Sequence, residues 1–294
     1  MDMYIRHPVI RLLLLLLSCA GCQEPATDQI KANAVLVFED HFEGKVLDTT
    51  KWYTYSSNPK PFDRILPRGN CDYETAALLL DRNIIIRDGH LNLIARQEAA
   101  RYEGIVDGEA GQDIGCGHVG QDTFLLEQEY TSATLRSRKG YNHGYFECRA
   151  KIPPATGLYP VIWLWHHDEL VLFEFFGDSK TYYASSHHGA NYKTKAFYEV
   201  ADYSEAFHVY GLNWTPNRLT WYFDHKPIWE LEREKGLGLA PGNDFFPDST
   251  DRWLSPNISL RVYEWAAQVD DQRLPDTLKI DYFKVYQSQS DVPD

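Results

Sequence analysis

The chain has 294 residues, enough for one large all-β domain, and its 44% hydrophobic content supports a sizeable core. The formal charge is −13 with no cluster of Lys or Arg to offset it, which excludes nucleic acid as the main partner. A neutral or weakly charged ligand fits this surface, and a 14% aromatic share supplies flat apolar faces suited to strand packing and to sugar rings.

Arg6 and Arg11 flank the start of an apolar run, Leu12 to Leu17, which ends in the small residues Ser18 to Cys22. This is the pattern of a secretory signal, since a membrane span needs roughly 20 apolar residues. The run Cys19-Ala20-Gly21-Cys22 resembles a bacterial lipobox, so residues 1–21 are expected to be removed and Cys22 lipidated. The protein is then expected in the bacterial cell envelope, at the outer membrane or cell surface, touching lipid through its anchor only. Residues 22–33 are polar and carry Pro25, and they read as a tether. Export permits disulfides. Cys71 and Cys116, both in Gly-rich loop sequence, are a candidate pair; Cys148 lies inside an alternating strand and is expected to be a free buried thiol.

From residue 34 to 288, short β-branched and aromatic runs recur between turn residues, and residues 289–294 form a tail. The runs include His90–Ala95, Gly144–Ile152, Val161–Trp165, Phe207–Trp214, Arg218–Phe223 and Thr277–Tyr286. Asp88-Gly89 predicts one hairpin and Asp224–Lys226 another. No stretch shows helical periodicity, so the predicted class is all-β, a sandwich or a barrel, in one domain expected to be monomeric. The Gly-rich segments Arg96–Gln121 and Glu232–Asp251 read as long loops framing a cleft.

Residues 163–177 read Trp-Leu-Trp-His-His-Asp-Glu-Leu-Val-Leu-Phe-Glu-Phe-Phe-Gly. Two glutamates stand in an apolar strand, where an unpartnered carboxylate is costly. Glu169 and Glu174 are five apart and would face opposite ways in a regular strand. One bulge near Leu172 or Phe173 returns both to one face, as a retaining glycosidase needs for two carboxyls about 5–5.5 Å apart. On spacing alone, an edge residue plus an arginine-paired carboxylate accounts for the pattern as well.

The segment resembles the signature of glycoside hydrolase family 16, the family of laminarinases, lichenases, agarases and carrageenases. Its bulged motif runs Glu, any, Asp, any, any, Glu; Glu169 matches the nucleophile and Glu174 the general acid/base. The likeness continues in family order through Phe38–Gly44, Asp88–Arg96, Gly144–Pro153, Phe207–Asp224 and Leu274–Gln287. It implies a concanavalin A-like jelly-roll β-sandwich with a concave sugar cleft, and a polysaccharide or oligosaccharide as partner. The family's middle aspartate is Val171 here, which neither donates, accepts nor carries charge. Two functions follow: a retaining endo-acting glycosidase on a β-linked polysaccharide, slowed by Val171, or an inactive surface glycan binder. On this reading Val171→Asp raises hydrolysis.

Softer candidates accompany the pair. Trp163 and Trp165 share the parity of Glu169 and could stack on sugar. The resemblance implies a histidine near the acid/base, for which His188 is chosen over His187, and a subsite aromatic at Trp265. Tyr73 and Arg68 lie in an early loop able to roof the cleft. No cofactor is expected for catalysis. The family's structural calcium would use Asp281 and the carbonyl of Gly89, although His41 replaces an acidic neighbour and calcium prefers oxygen ligands.

Overall fold

The computed structural model describes residues 25–54, 77–105, 118–119, 123–166, 168–188, 191–233, 246, 253–263 and 267–291. A short helix, α1 (Ala26–Ala32), precedes the strands β1 (Val35–Asp40), β2 (Trp52–Thr54), β3 (Ala77–Leu79), β4 (Ile84–Arg87), β5 (His90–Ile105), β6 (His118–Val119), β7 (Thr123–Ser137), β8 (Gly144–Lys151) and β9 (Leu158–Trp165). There follow β10 (Glu169–Glu174), β11 (Tyr182–His188), β12 (Asn191–Phe197), β13 (His208–Thr215), β14 (Arg218–Phe223), β15 (Lys226–Glu232), β16 (Ser255–Val262) and β17 (Asp276–Gln287).

One layer runs β15-β14-β13-β8-β17, extended by β1, β5 and β4. The other runs β12-β11-β10-β9-β16-β7-β2. The ladders are antiparallel apart from β3 beside β7. The long strands β5 and β7 pair from Arg96↔Thr131 to Ile105↔Thr123 and join both layers into one curled sheet. The segment after Arg96, expected to be loop, is therefore strand as far as Ile105. Both predicted hairpins form: Asp88 and Gly89, and Asp224 and His225, all have positive φ, the geometry of a type I′ turn whose twist matches the flanking strands.

Alternation along each strand sends one set of side chains between the layers. Leu91 and Leu93, Phe146 and Cys148, Ile162 and Leu164, Leu212 and Trp214, Ile258 and Leu260, and Phe283 and Val285 are all buried there. Phe173 of β10 meets Tyr210 of β13 with ring centroids 4.4 Å apart, tying one layer to the other. Cys148 is a free, buried thiol, as its strand position predicts.

Helix α1 departs from the expected tether. Thr27 is fully buried, with Oγ1 3.1 Å from Nδ1 of His225. Lys31 Nζ lies 2.7 Å from Glu147, a β8 carboxylate on the outward face of the convex layer. Glu147 is 2% exposed and also accepts the hydroxyls of Tyr145 and Tyr282 at 2.8 and 3.1 Å. A seven-residue helix is marginal by itself in water; these contacts hold it. Its sequence lacks an apolar stripe, which is why it reads as linker.

The calcium expectation fails on the same convex side. Asp281 Oδ2 accepts Arg149 Nη1 at 2.6 Å, and Oδ1 lies 3.8 Å from His90 Nε2. A guanidinium already neutralises the carboxylate, and among the described residues no group of three or more His, Cys, Asp or Glu could hold a metal. With its carboxylate committed to Arg149, Asp281 does not fit the ion.

Candidate active site

Strand β10 lies between β9 and β11. Glu169 pairs with Trp165 on one side and His187 on the other, and Val171 pairs with Trp163 and Ser185. The register then slips: Phe173 meets Ile162, and Glu174 meets Val161 and Tyr183. Leu172 and Phe173, neighbours in sequence, both enter the core between the layers. This is the expected β-bulge, and it returns Glu174 to the concave face that carries Glu169 and Val171. The two core donors Trp221 and Tyr182 fix it. Trp221 Nε1 donates to the Val171 carbonyl and the Tyr182 hydroxyl to the Leu172 carbonyl, each at 2.8 Å. Leaving such a buried acceptor unmet costs roughly 1–3 kcal/mol.

Across the concave face, cross-strand partners form rows. One holds Tyr192, His187, Glu169, Trp165 and Ser255; the next holds Thr194, Ser185, Val171, Trp163 and Asn257. Trp163 and Trp165 thus lie beside the carboxylates on the expected face, both half-buried. A guanidinium accompanies each: Arg261 sits 5.0 Å from the Trp163 ring and Arg136 5.6 Å from the Trp165 ring.

Glu174 is 6% exposed. The Tyr159 hydroxyl donates to its Oε2 at 2.8 Å and the Ser185 hydroxyl to its Oε1 at 2.7 Å. Tyr159 is itself stacked between Phe176 and Tyr263, at centroid distances of 5.1 and 4.6 Å. Val171 is fully buried against this wall, with Val161, Trp163 and Tyr263.

Of the two adjacent histidines, His187 and not the expected His188 shares the face of the carboxylates. His187 shares the face of Ser185 and Glu169, stacks on exposed Tyr192 at 5.7 Å, and is held below the ordinary imidazole range by burial. His188 points to the opposite face, where its Nδ1 is 3.1 Å from Asp168 Oδ1 and both side chains are buried. Alternation explains both facts: residues one apart on β11 cannot share a face. Asp168 is likewise no substitute for the missing aspartate. Tyr159 and Ser185 escaped the sequence reading. Tyr159 has the parity of Trp163 and was readable from β9; Ser185 required the β10–β11 register. Trp265, Tyr73, Arg68, Cys22, Cys71 and Cys116 lie outside the described residues.

A sequence model of Glycosyl hydrolases family 16 matches residues 87–284, well over half of the chain. The chain belongs to this family. The family 16 assignment agrees with its curated relatives. It is 22% identical to "Glucan endo-1,3-beta-glucosidase A1" of Niallia circulans over 90% of this chain and 39% of that protein. It is 26% identical to the "Beta-glucanase" of Rhodothermus marinus over 54% of this chain and 63% of that one. The family 16 chain thus spans less than two thirds of either relative's length. Among solved structures, the laminarinase from Flavobacterium sp. UMI-01 superposes with a TM-score of 0.63 at 23% identity, covering 86% of this chain and all of that one. That likeness establishes the jelly-roll fold.

Proposed function

We propose that the protein is a retaining, endo-acting glycosidase of a β-linked glucan, with Glu169 as nucleophile and Glu174 as general acid/base. The observation that carries this reading is the bulge at Leu172–Phe173, which sets both carboxylates on one concave face beside two tryptophans. A Glu169 oxygen bonds to the anomeric carbon while the bond to the leaving oxygen breaks, and that oxygen takes the proton of Glu174. Glu174 then removes a proton from water, which displaces Glu169 and restores the original configuration. Relatives named for 1,3-β-glucan cleavage support a laminarin-type substrate.

Incubation with laminarin, mixed-linkage β-glucan, agarose and carrageenan, reading reducing ends and product anomers, tests this. New reducing ends with retained anomers on the first two are expected; inverted products, or release from no glucan, overturn it. A second reading, a surface glycan binder without turnover, draws on Val171 in the place of the motif's aspartate. Binding to glucan with no reducing ends from the wild type selects it.

From the lipobox-like run Cys19-Ala20-Gly21-Cys22 we further propose that the mature chain begins at a lipidated Cys22 and sits in the bacterial envelope as a monomer. Labelled palmitate should enter the wild type and not Cys22→Ala; absence of label from the wild type removes the anchor.

A further inference from the structure

We propose that Tyr159 and Ser185 are positioning residues for Glu174, holding the acid/base carboxyl in place from both flanks of β10. The inference rests on the glycosidase reading. Each hydroxyl engages a different oxygen of the same carboxylate, from β9 on one side and β11 on the other, at 2.8 and 2.7 Å. Two such bonds from opposite flanks fix both the carboxyl plane and its position along the strand. Neither donor is free to drift: Ser185 is fully buried, and Tyr159 is 6% exposed between two rings. Val171, fully buried and apolar, offers Glu174 no polar atom from its side chain.

The choice of hydroxyls suits a group that must act as acid and then as base. A hydroxyl both donates and accepts, so it turns about its own oxygen when its partner gains a proton. The same cradle therefore serves Glu174 in both steps. An aspartate or an arginine would favour one protonation state over the other.

The sharpest test separates proton donation from everything else. A sugar leaving group needs the proton; a dinitrophenolate does not. Tyr159→Phe keeps the stacked ring and Ser185→Ala keeps the backbone register. Each is expected to lower kcat/KM on laminarin about 10- to 100-fold, the effect of misplacing a reacting group. On a dinitrophenyl laminaribioside the first turnover should stay within about twofold of wild type, which also shows that the variants fold. Ser185→Thr, which keeps the hydroxyl, should recover most of the polymer activity. Equal losses on both substrates, or unchanged polymer activity in both variants, overturn the positioning role while leaving the glycosidase standing. A wild type inert towards polymer and activated glycoside alike removes the glycosidase reading, and this inference with it.

Discussion

Two buried glutamates sit on opposite faces of this sandwich with nearly the same dressing. Glu147 of β8 and Glu174 of β10 each accept two hydroxyls, one per carboxylate oxygen. Around Glu147 the cradle is closed: Lys31 of α1 caps it at 2.7 Å, and His225 stands 3.8 Å away. Burial, reinforced by the Glu147 charge, pushes the Tyr145 and Tyr282 hydroxyls well above the usual phenol range, so both stay protonated as donors. Glu174 instead shares its face, by way of the bulge, with a second carboxylate, Glu169, and with Trp163, Trp165 and His187. A hydroxyl-cradled glutamate is thus not in itself a catalytic feature. What distinguishes Glu174 is the partner placed on its own face.

The largest contrast is expected from removing each carboxylate. Glu174→Gln and Glu169→Gln should each lower turnover of laminarin by at least about 10³-fold, in the upper range for loss of an acid/base or nucleophile. Their urea midpoints should barely move. Glu147→Ala should do the reverse, keeping kcat/KM within about twofold and lowering unfolding stability by roughly 2–4 kcal/mol, somewhat less than for a fully buried pair because Lys31 is at the rim. If Glu147→Ala abolished turnover with its stability intact, the division between the two faces would be wrong.

Val171→Asp comes next in size. The packing leads to the opposite expectation from the sequence, because position 171 is fully buried against Tyr159, Val161 and Tyr263. A carboxylate placed there is desolvated, and a stability loss of roughly 2–4 kcal/mol is expected, of the order set by an unpaired buried polar group. Turnover is expected to fall. A rise in turnover at unchanged melting temperature would show that the wall beside Glu174 yields more readily than its packing implies. The smallest effect concerns the convex side. With Arg149 on Asp281, calcium or a chelator should shift Tm by less than about 1 °C, well below the several degrees that about 1 kcal/mol produces in a domain. A chelator-induced drop of several degrees would point to a cation site after all.

Much of this was legible in the sequence, for identifiable reasons. Period-two alternation exposed the strands, and Asp88-Gly89 exposed a hairpin, because both signals are local. The bulge is legible only through the motif resemblance, because five-residue spacing by itself also fits two carboxylates on opposite faces. His188 was misplaced because the choice between adjacent residues depends on strand pairing, which adjacent letters do not carry. Helix α1 reads as linker in the sequence because its docking partner, Glu147, lies on a distant strand. Position-by-position likeness points to calcium at Asp281, whereas Arg149 reaches that carboxylate only in the folded chain.

Helix α1 also sets a direction in space. Thr27 and Lys31 fasten it to the convex layer, and only Gln23, Glu24 and Pro25 separate it from Cys22. Those residues allow no more than about 14 Å of chain even at full extension. An acyl group on Cys22 would therefore hold the convex layer against the bilayer, with the concave face turned outward across the thickness of the sandwich. The glycan would then approach from the open side without threading between protein and lipid.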